Sequence, residues 1–533
     1  MIRNSWSCSI RDMCIGTIEH EGGRKMKKLL CLMLTLSLLL AAGMALAEGS
    51  GTEVTVTGGS VSGRVEDGVF VYLGVPYAAA AERFVAPTEA KWEGTLEATQ
   101  YGSIALQQSF WGGSDGQSND CLNLNIWTNG LEDGGKRPVL VWYHGGGMTS
   151  GSANEANTNG KNLAKQEDVV VVTVNHRLGV MAYLDLSAYG EKYQNSGNVG
   201  VLDMAASLQW IHDNIEHFGG DPENVTIFGQ SGGGAKVLAL MTTPYAKGLF
   251  HKAVNQSGAT DTLGPVFATR EMAARVTELT LNQLNIDQSN IEDIQTVDFT
   301  RLNNAGSAAL QQVAQEFQIL SPFGNSYSFE WMPYVDGDVI PTNPVLDEGF
   351  ADNGKDIPLL IGSNLNEWNF SMGAAAQEED AVLSALRQTY GDRAEAILAA
   401  FKTAYPDVSI ANAPLVDSML RAPLFRITAH KADQNGAPVY SYIMTYGAPM
   451  AVHGAEIPLI FDNTTPDNEE MAIVMRSIWA SFARTGVPAA SGLPAWEPYT
   501  REGGAVMILD RNASLTHHHD EELLSLLKPD YEF

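Results

Sequence analysis

Cysteine is scarce in this chain: four in 533 residues, at Cys8, Cys14, Cys31 and Cys121. Three of them fall in an N-terminal stretch that reads as removable, so the remainder carries Cys121 alone and no internal disulfide. Basic residues are scarce too. Lys and Arg total 33 against 62 Asp and Glu, a net charge of −29. That balance argues against nucleic acid and anionic membranes as partners and disfavours anionic substrates. Past residue 47 no long hydrophobic run follows, so no stop-transfer segment and no stable membrane anchor is expected. Internal repeats, low-complexity tracts and splitting linkers are missing as well. What remains is ordinary globular composition, 44% hydrophobic and 18% charged, sufficient for one large α/β domain with insertions.

The N-terminus reads as a processing segment. Lys27 and Lys28 precede the apolar run Leu29 to Leu40, and Ala45-Leu46-Ala47 forms a small-residue cleavage site before Glu48. Residues 26–47 are therefore expected to be a secretory signal peptide of the bacterial Sec type, which makes the protein extracytoplasmic or secreted. No cysteine follows the apolar run where lipid attachment would need one. Residues 1–25 precede this complete signal and read as an upstream extension outside the native chain, with translation starting at Met26. Removing the first 47 residues, which hold six Lys/Arg against three Asp/Glu, leaves 486 residues and a charge of −32. Residues 48–533 are expected to form a single domain.

Within it, Val54 to Val56, Val69 to Leu73 and Leu122 to Trp127 alternate or run apolar between glycine-rich breaks, as strands do. Pro138 to Tyr143 and Val169 to Val174 are continuous β-branched, apolar runs, the pattern of parallel strands buried on both faces. From Leu202 to Phe218 the spacing turns helical, with Ala205, Leu208, Ile211 and Ile215 on one face. Later strands are predicted at Ala253 to Asn255, Pro358 to Ile361 and Val439 to Met444, with helical insertions including Arg270 to Leu284 and Ala381 to Phe401. The alternation is that of a doubly wound, mostly parallel sheet whose insertions wall the site at the carboxyl strand ends.

The most informative run is Phe228-Gly229-Gln230-Ser231-Gly232-Gly233-Gly234, directly after the apolar Val225-Thr226-Ile227. It reads as a serine raised on a sharp strand-to-helix turn, a nucleophile elbow. A serine hydroxyl needs a base to take its proton and an acid to orient that base, in the chain order serine, acid, histidine. His251 follows Ser231 too soon, His430 sits in a helix predicted from Phe425 to Lys431, and His517 to His519 read as a solvated cluster. His453 remains, in a glycine-containing loop just past a strand. Glu367 leaves the carboxyl end of the Pro358 to Ile361 strand, whereas Asp356 precedes that strand at the wrong end of the sheet. His144-Gly145-Gly146-Gly147 follows another buried strand, and its N–H groups together with that of Gly232 are suited to hold a developing oxyanion.

Together these residues resemble the type B carboxylesterase family, relatives of the cholinesterases, over most of residues 50 to 510. The resemblance is carried by Asp120-Cys121-Leu122-Asn123-Leu124-Asn125, by Asn175-His176-Arg177-Leu178-Gly179, and by the block from Gly197-Asn198 through Phe218-Gly219-Gly220-Asp221-Pro222 to the elbow. Gln256-Ser257-Gly258, Tyr334-Val335-Asp336-Gly337, Asn364 to Glu367 and His453-Gly454-Ala455-Glu456 complete it. It implies the α/β-hydrolase fold, with large helical insertions over the active site, and a serine carboxylic ester hydrolase using no cofactor or metal. It further implies a Ser231, Glu367, His453 triad, oxyanion donors at Gly146, Gly147 and Gly232 with Gly145 a turn residue, and Ser257 in support beside the acid. The expected partner is a small-molecule ester; oligomeric state is not legible. Alternatives are a non-catalytic adhesion or binding protein on this scaffold, or a lipase or peptidase of the same fold. Three departures stand out. Ala105 occupies the usual disulfide partner's place, so the 105–121 loop is expected to be more mobile; Gly232 replaces a common alanine and frees the backbone; and Met148 replaces a common aromatic, which is expected to reshape the acyl side of the pocket.

Overall fold

In the computed structural model, residues 51–108, 116–259, 268–321, 326–343, 352–368 and 378–531 are described. The expected signal peptide, the upstream extension and most of the 105–121 loop tip lie outside them. The large sheet has eleven strands, numbered here along the chain: β1 Arg64–Glu66, β2 Val69–Pro76, β3 Asn123–Thr128, β4 Arg137–Tyr143, β5 Val170–Val174, β6 Gly220–Gln230, β7 Lys252–Gln256, β8 Leu359–Asn364, β9 Val439–Met444, β10 Ala505–Leu509 and β11 Ser514–His517. Their spatial order is β11-β10-β9-β8-β7-β6-β4-β5-β3-β2-β1. From β5 across to β10 neighbours run parallel, while β3, β2, β1 and β11 are antiparallel edges.

The apolar runs are strands because both their faces are covered. Val139 and Val141 of β4, Val172 of β5, and Leu359 and Ile361 of β8 point into one core. Leu140, Trp142, Val171 and Leu360 point into the other. This period-2 division is what a strand must show when helices lie on both sides. On the first face pack α1 (Val199–Asn214), α2 (Gly232–Thr242) and α3 (Arg421–Asp433); on the second lies α4 (Glu469–Thr485), through Met475, Ile478, Trp479 and Phe482. The chain from Val54 to Phe533 packs as one compact unit. Among the described residues no helix is long and apolar enough to cross a membrane.

Several boundaries differ from the sequence expectation: the strand expected to end at Leu73 runs to Pro76, and the helix expected from Leu202 to Phe218 is Val199–Asn214 followed by a short 3-10 turn. Strand β8 runs on to Asn364, and the helix expected from Ala381 to Phe401 is two, Glu379–Tyr390 and Ala394–Ala404. The break is at Gly391, whose φ of +59° ends the first helix in a conformation that costs glycine little. Apolar spacing continues across the break because both helices feed one cluster, with Val382, Leu386, Ile397 and Phe401 buried together.

The register of the parallel strands levels their carboxyl ends. Gln230 of β6 pairs with Gln256 of β7, Gln256 with Gly362 of β8, and Gly362 with Tyr442 of β9. Whatever follows these residues therefore leaves the sheet at one edge. A buried ion pair braces that edge. Arg177 holds Asp203 of α1 through Nη2–Oδ1 at 2.6 Å and Nε–Oδ2 at 2.8 Å, both side chains essentially out of water. Removing one partner of such a pair leaves an uncompensated charge, typically at a cost of about 3–5 kcal/mol.

Candidate active site

Ser231 sits at the tip of β6 with φ +59° and ψ −125°, a backbone state that only a surrounding structure can impose on a side-chain-bearing residue. Its N–H is held by the Gln256 carbonyl at 2.8 Å, and its carbonyl accepts from Ala235 at 3.1 Å. The turn is possible because its neighbours have no side chains. A Cβ on Gly229 would stand 2.4 Å from the Gly233 carbonyl carbon, and one on Gly233 would stand 2.0 Å from the Tyr143 oxygen. The Ser231 side chain is half-buried.

Glu367 and His453 are brought together. Glu367 Oε2 lies 2.6 Å from His453 Nδ1, and the His453 N–H donates to the Glu367 carbonyl at 2.8 Å. The other carboxylate oxygen accepts from the Asn364 N–H at 2.7 Å and from the Ser257 hydroxyl at 2.5 Å. An ionised carboxylate only accepts, so the shared proton belongs on Nδ1 and neutral His453 offers a lone pair at Nε2. That Nε2 is buried and has no hydrogen-bond partner among the described residues. The imidazole is stacked on Trp368, ring centroids 4.3 Å apart. The His453 loop also packs on the elbow: the Gln230 amide carbon stands 3.7 Å from where a Cβ on Gly454 would be. No hydrogen bond joins Ser231 to His453 here, as is common before a substrate draws such groups together.

Electrostatics at this edge centre on Glu367. Burial disfavours the imidazolium of His453, yet the charge of Glu367, its hydrogen bond and the further acids Glu456 and Asp417 outweigh burial and raise the histidine's pKa above its ordinary value. Asp417 and Glu456 are themselves pushed up, first by burial and then by the Glu367 charge. Glu456 accepts from Asn364 Nδ2 at 2.7 Å and Gln256 Nε2 at 3.2 Å. Sequence reasoning did not single out Asp417; only the packing of the 417–421 segment, whose N–H groups turn onto its carboxylate, brings it here.

The glycine loop after β4 closes on the serine from the other side. Gly146 and Gly147 have φ of +86° and +62°, and their N–H groups have no acceptor among the described residues. Gly232 opens α2, where the first N–H groups of a helix are unclaimed. Position 145 lies against the elbow, a Cβ there standing 3.5 Å from that of Ser231. The substitution of glycine for alanine at 232 is tighter than its sequence suggests: a Cβ there would stand 2.2 Å from the Gly147 oxygen. Met148, expected to reshape a pocket, instead points into the core, its sulfur accepting from the Tyr183 hydroxyl at 3.5 Å.

Beneath this loop lies Lys236, a residue that sequence reasoning passed over although it stands five places after Ser231 in an otherwise apolar helix. It is fully buried and donates to the His144 carbonyl at 2.7 Å, and burial pushes its pKa down to about 7. His144 is in turn stacked on His176, ring centroids 5.0 Å apart. The C-terminal histidines stand elsewhere, His517 paired with Glu497 and His518 with Glu521. Among the described residues no group of His, Cys, Asp and Glu is placed to hold a metal ion. Cys121 is buried and unpaired.

The arrangement thus offers a hydroxyl on a strained turn, an imidazole oriented by a buried carboxylate, and unclaimed peptide donors beside the hydroxyl. Residues 50–526 match the profile described as the Carboxylesterase family. The para-nitrobenzyl esterase of Bacillus subtilis (strain 168) is 32% identical over 506 residues, covering 89% of this chain and 98% of the relative. The phenmedipham hydrolase of Pseudarthrobacter oxydans is 32% identical over 488 residues, 85% and 94% of the two chains. Among solved structures, an esterase from Clostridium hathewayi, described as able to hydrolyse aliphatic aromatic polyesters, superposes with a TM-score of 0.80 at 33% identity over 90% of this chain and 98% of that one.

Proposed function

The chain belongs to the carboxylesterase family, with its α/β-hydrolase fold and its hydrolysis of carboxylic esters, and on that premise we propose that Ser231, His453 and Glu367 perform the reaction through an acyl-enzyme. His453 Nε2 takes the proton of Ser231, whose oxygen attacks the ester carbonyl. The oxyanion is held by the N–H groups of Gly146, Gly147 and Gly232. His453 then gives its proton to the leaving alcohol, and a water molecule, activated by the same nitrogen, releases the acid and restores the serine. Glu367 stays ionised and stabilises the imidazolium in each half-reaction.

One observation supports this above the rest: the 2.6 Å contact that fixes the Nδ1 proton of His453 and leaves Nε2 buried and unpartnered on the loop against the elbow. The substrates are small to medium esters, as the name of the para-nitrobenzyl relative suggests. A fluorophosphonate probe tests the chemistry. Labelling is expected at Ser231 alone, located by mass mapping of the peptide; an unmodified chain would favour a non-catalytic binding role on the same scaffold.

The donors make a separate prediction. In this chain alanine at 232 would press on the Gly147 carbonyl and push one donor off target. Gly232→Ala is therefore expected to lower kcat on a p-nitrophenyl ester by about 10²–10³-fold with the circular dichroism unchanged. A kcat within twofold of the parent would mean that the glycine loop yields freely.

Export by the N-terminal signal is proposed on sequence alone. The mature protein is expected to begin at Glu48; N-terminal sequencing that finds Leu29 to Leu40 retained would refute it.

A further inference from the structure

A cavity of about 590 Å³ opens beside the glycine loop, its described lining including Thr149, Ser150, Val180, Leu310, Phe329 and Glu330. Glu330 is the one carboxylate in that lining, and no Lys or Arg is among the described residues that form it. The Glu330 side chain is half-buried, and its carboxylate accepts no hydrogen bond and meets no cation among the described residues. Its Oε2 stands 3.5 Å from the point where a Cβ on Gly147 would lie. Burial accordingly raises its pKa above the ordinary carboxylate range.

The cavity has a definite side. On the reading above, His453 faces the leaving oxygen of a bound ester, so the acyl substituent extends away from it. No residue of the His453 loop, and none of the β8 exit that carries Glu367, is in the described lining. The cavity meets the expected oxyanion loop at Thr149 and Glu330, and the acyl group is assigned to it on that adjacency.

We propose that Glu330 selects substrates whose acyl group carries a cation, an ammonium or its quaternary analogue, seated in this cavity against the carboxylate. The inference rests on Ser231 and His453 acting as described. Its physical basis is the missing partner. A half-buried carboxylate that faces a cavity with no counter-charge among the described residues is open to pairing with a ligand cation, which supplies what the protein does not. An ionised Glu330 beside Gly147 also opposes the oxyanion that Gly147 would stabilise, and a bound cation cancels that opposition. Removal of the charge should thus act in opposite directions on cationic and neutral esters. The acidic surface, −29 over the whole chain, adds to the local concentration of cations.

The test compares kcat/KM for two p-nitrophenyl esters of one shape, an acid whose chain ends in trimethylammonium and its neutral tert-butyl isostere, on the parent protein and on Glu330→Gln. The parent is expected to prefer the cationic ester. Glu330→Gln should lose about 10- to 100-fold on that ester and gain on the neutral one. Glu330→Asp, which retracts the charge by one methylene, should keep part of the preference and serves if the glutamine variant does not fold. A parent without preference, or an equal loss on both esters while the fluorophosphonate still labels Ser231, would overturn the proposal alone. A parent inert to both esters and to the probe would instead bring down the esterase mechanism and this inference with it.

Discussion

Ser231→Ala is expected to lower ester turnover by roughly 10⁶-fold without unfolding the protein. On the proposed mechanism the size follows from what is lost: no other group forms the acyl-enzyme, and only positioning and the peptide donors remain to help water attack the ester directly. That residue of catalysis is typically about 10³–10⁴ over the uncatalysed reaction. Stability should barely change. The Ser231 hydroxyl takes part in no hydrogen bond among the described residues, and alanine at φ +59° bears the same backbone strain as serine. The turn is held by the Gln256 and Ala235 contacts, which are main-chain and survive the substitution. Urea unfolding is expected to agree with the parent within about 0.5 kcal/mol, while p-nitrophenyl ester hydrolysis and fluorophosphonate labelling both vanish. Turnover within tenfold of the parent would remove Ser231 from the mechanism.

Glu367→Gln should cost roughly 10⁴-fold in kcat, and it carries a second signature in pH. The base must be neutral to accept the serine proton, so activity falls as pH drops through the pKa of His453 in the free enzyme. Beside ionised Glu367 that pKa lies above the ordinary histidine value of about 6.5, and the acid limb of kcat/KM should have its midpoint there. Glutamine is isosteric but uncharged. It withdraws the negative charge that favours imidazolium, so the residual activity should have an acid limb displaced to lower pH. The two buried neighbours respond in the same sense, because Asp417 and Glu456 are raised in part by the Glu367 charge and ionise more readily without it. Their gain in charge limits the displacement but does not reverse it. An acid limb that stays in place, or moves upward, would show that the 2.6 Å contact does not set the histidine's proton affinity.

Much of the candidate site was legible before any coordinates because its parts are local. The elbow declares itself in a β-branched run, a serine and flanking glycines, and the coordinates put Ser231 at positive φ with Gly229 and Gly233 where no side chain fits. His453 and Glu367 are expected from their place after strands, and the structure brings these two side chains together even though β8 runs three residues further than its apolar run. The failures are equally specific. Helical spacing from Ala381 to Phe401 concealed a break, since two helices that feed one cluster keep a common apolar rhythm through a glycine. Met148 is expected at the pocket because it stands where the resembling family commonly has an aromatic, yet past the turn at Gly146 and Gly147 it is buried in the core.

Strand positions, burial on both faces and the serine's place on a sharp turn are short-range consequences of residue type, and the sequence by itself determined them. So too the single cysteine past residue 47 and the strong negative charge. The order of the strands in the sheet came from the tertiary structure. The charges around Glu367 were decided there as well. Asp417 lies 50 positions from Glu367 and Glu456 89 positions away, and nothing in their local composition says that three carboxylates will share one dry space. The same holds for Lys236 under the glycine loop and for Glu330, which faces a cavity without a partner. Desolvation and Coulomb energy depend on distance through space and on the exclusion of water, and both exist only once the sheet has levelled its strand ends and the insertions have closed over them.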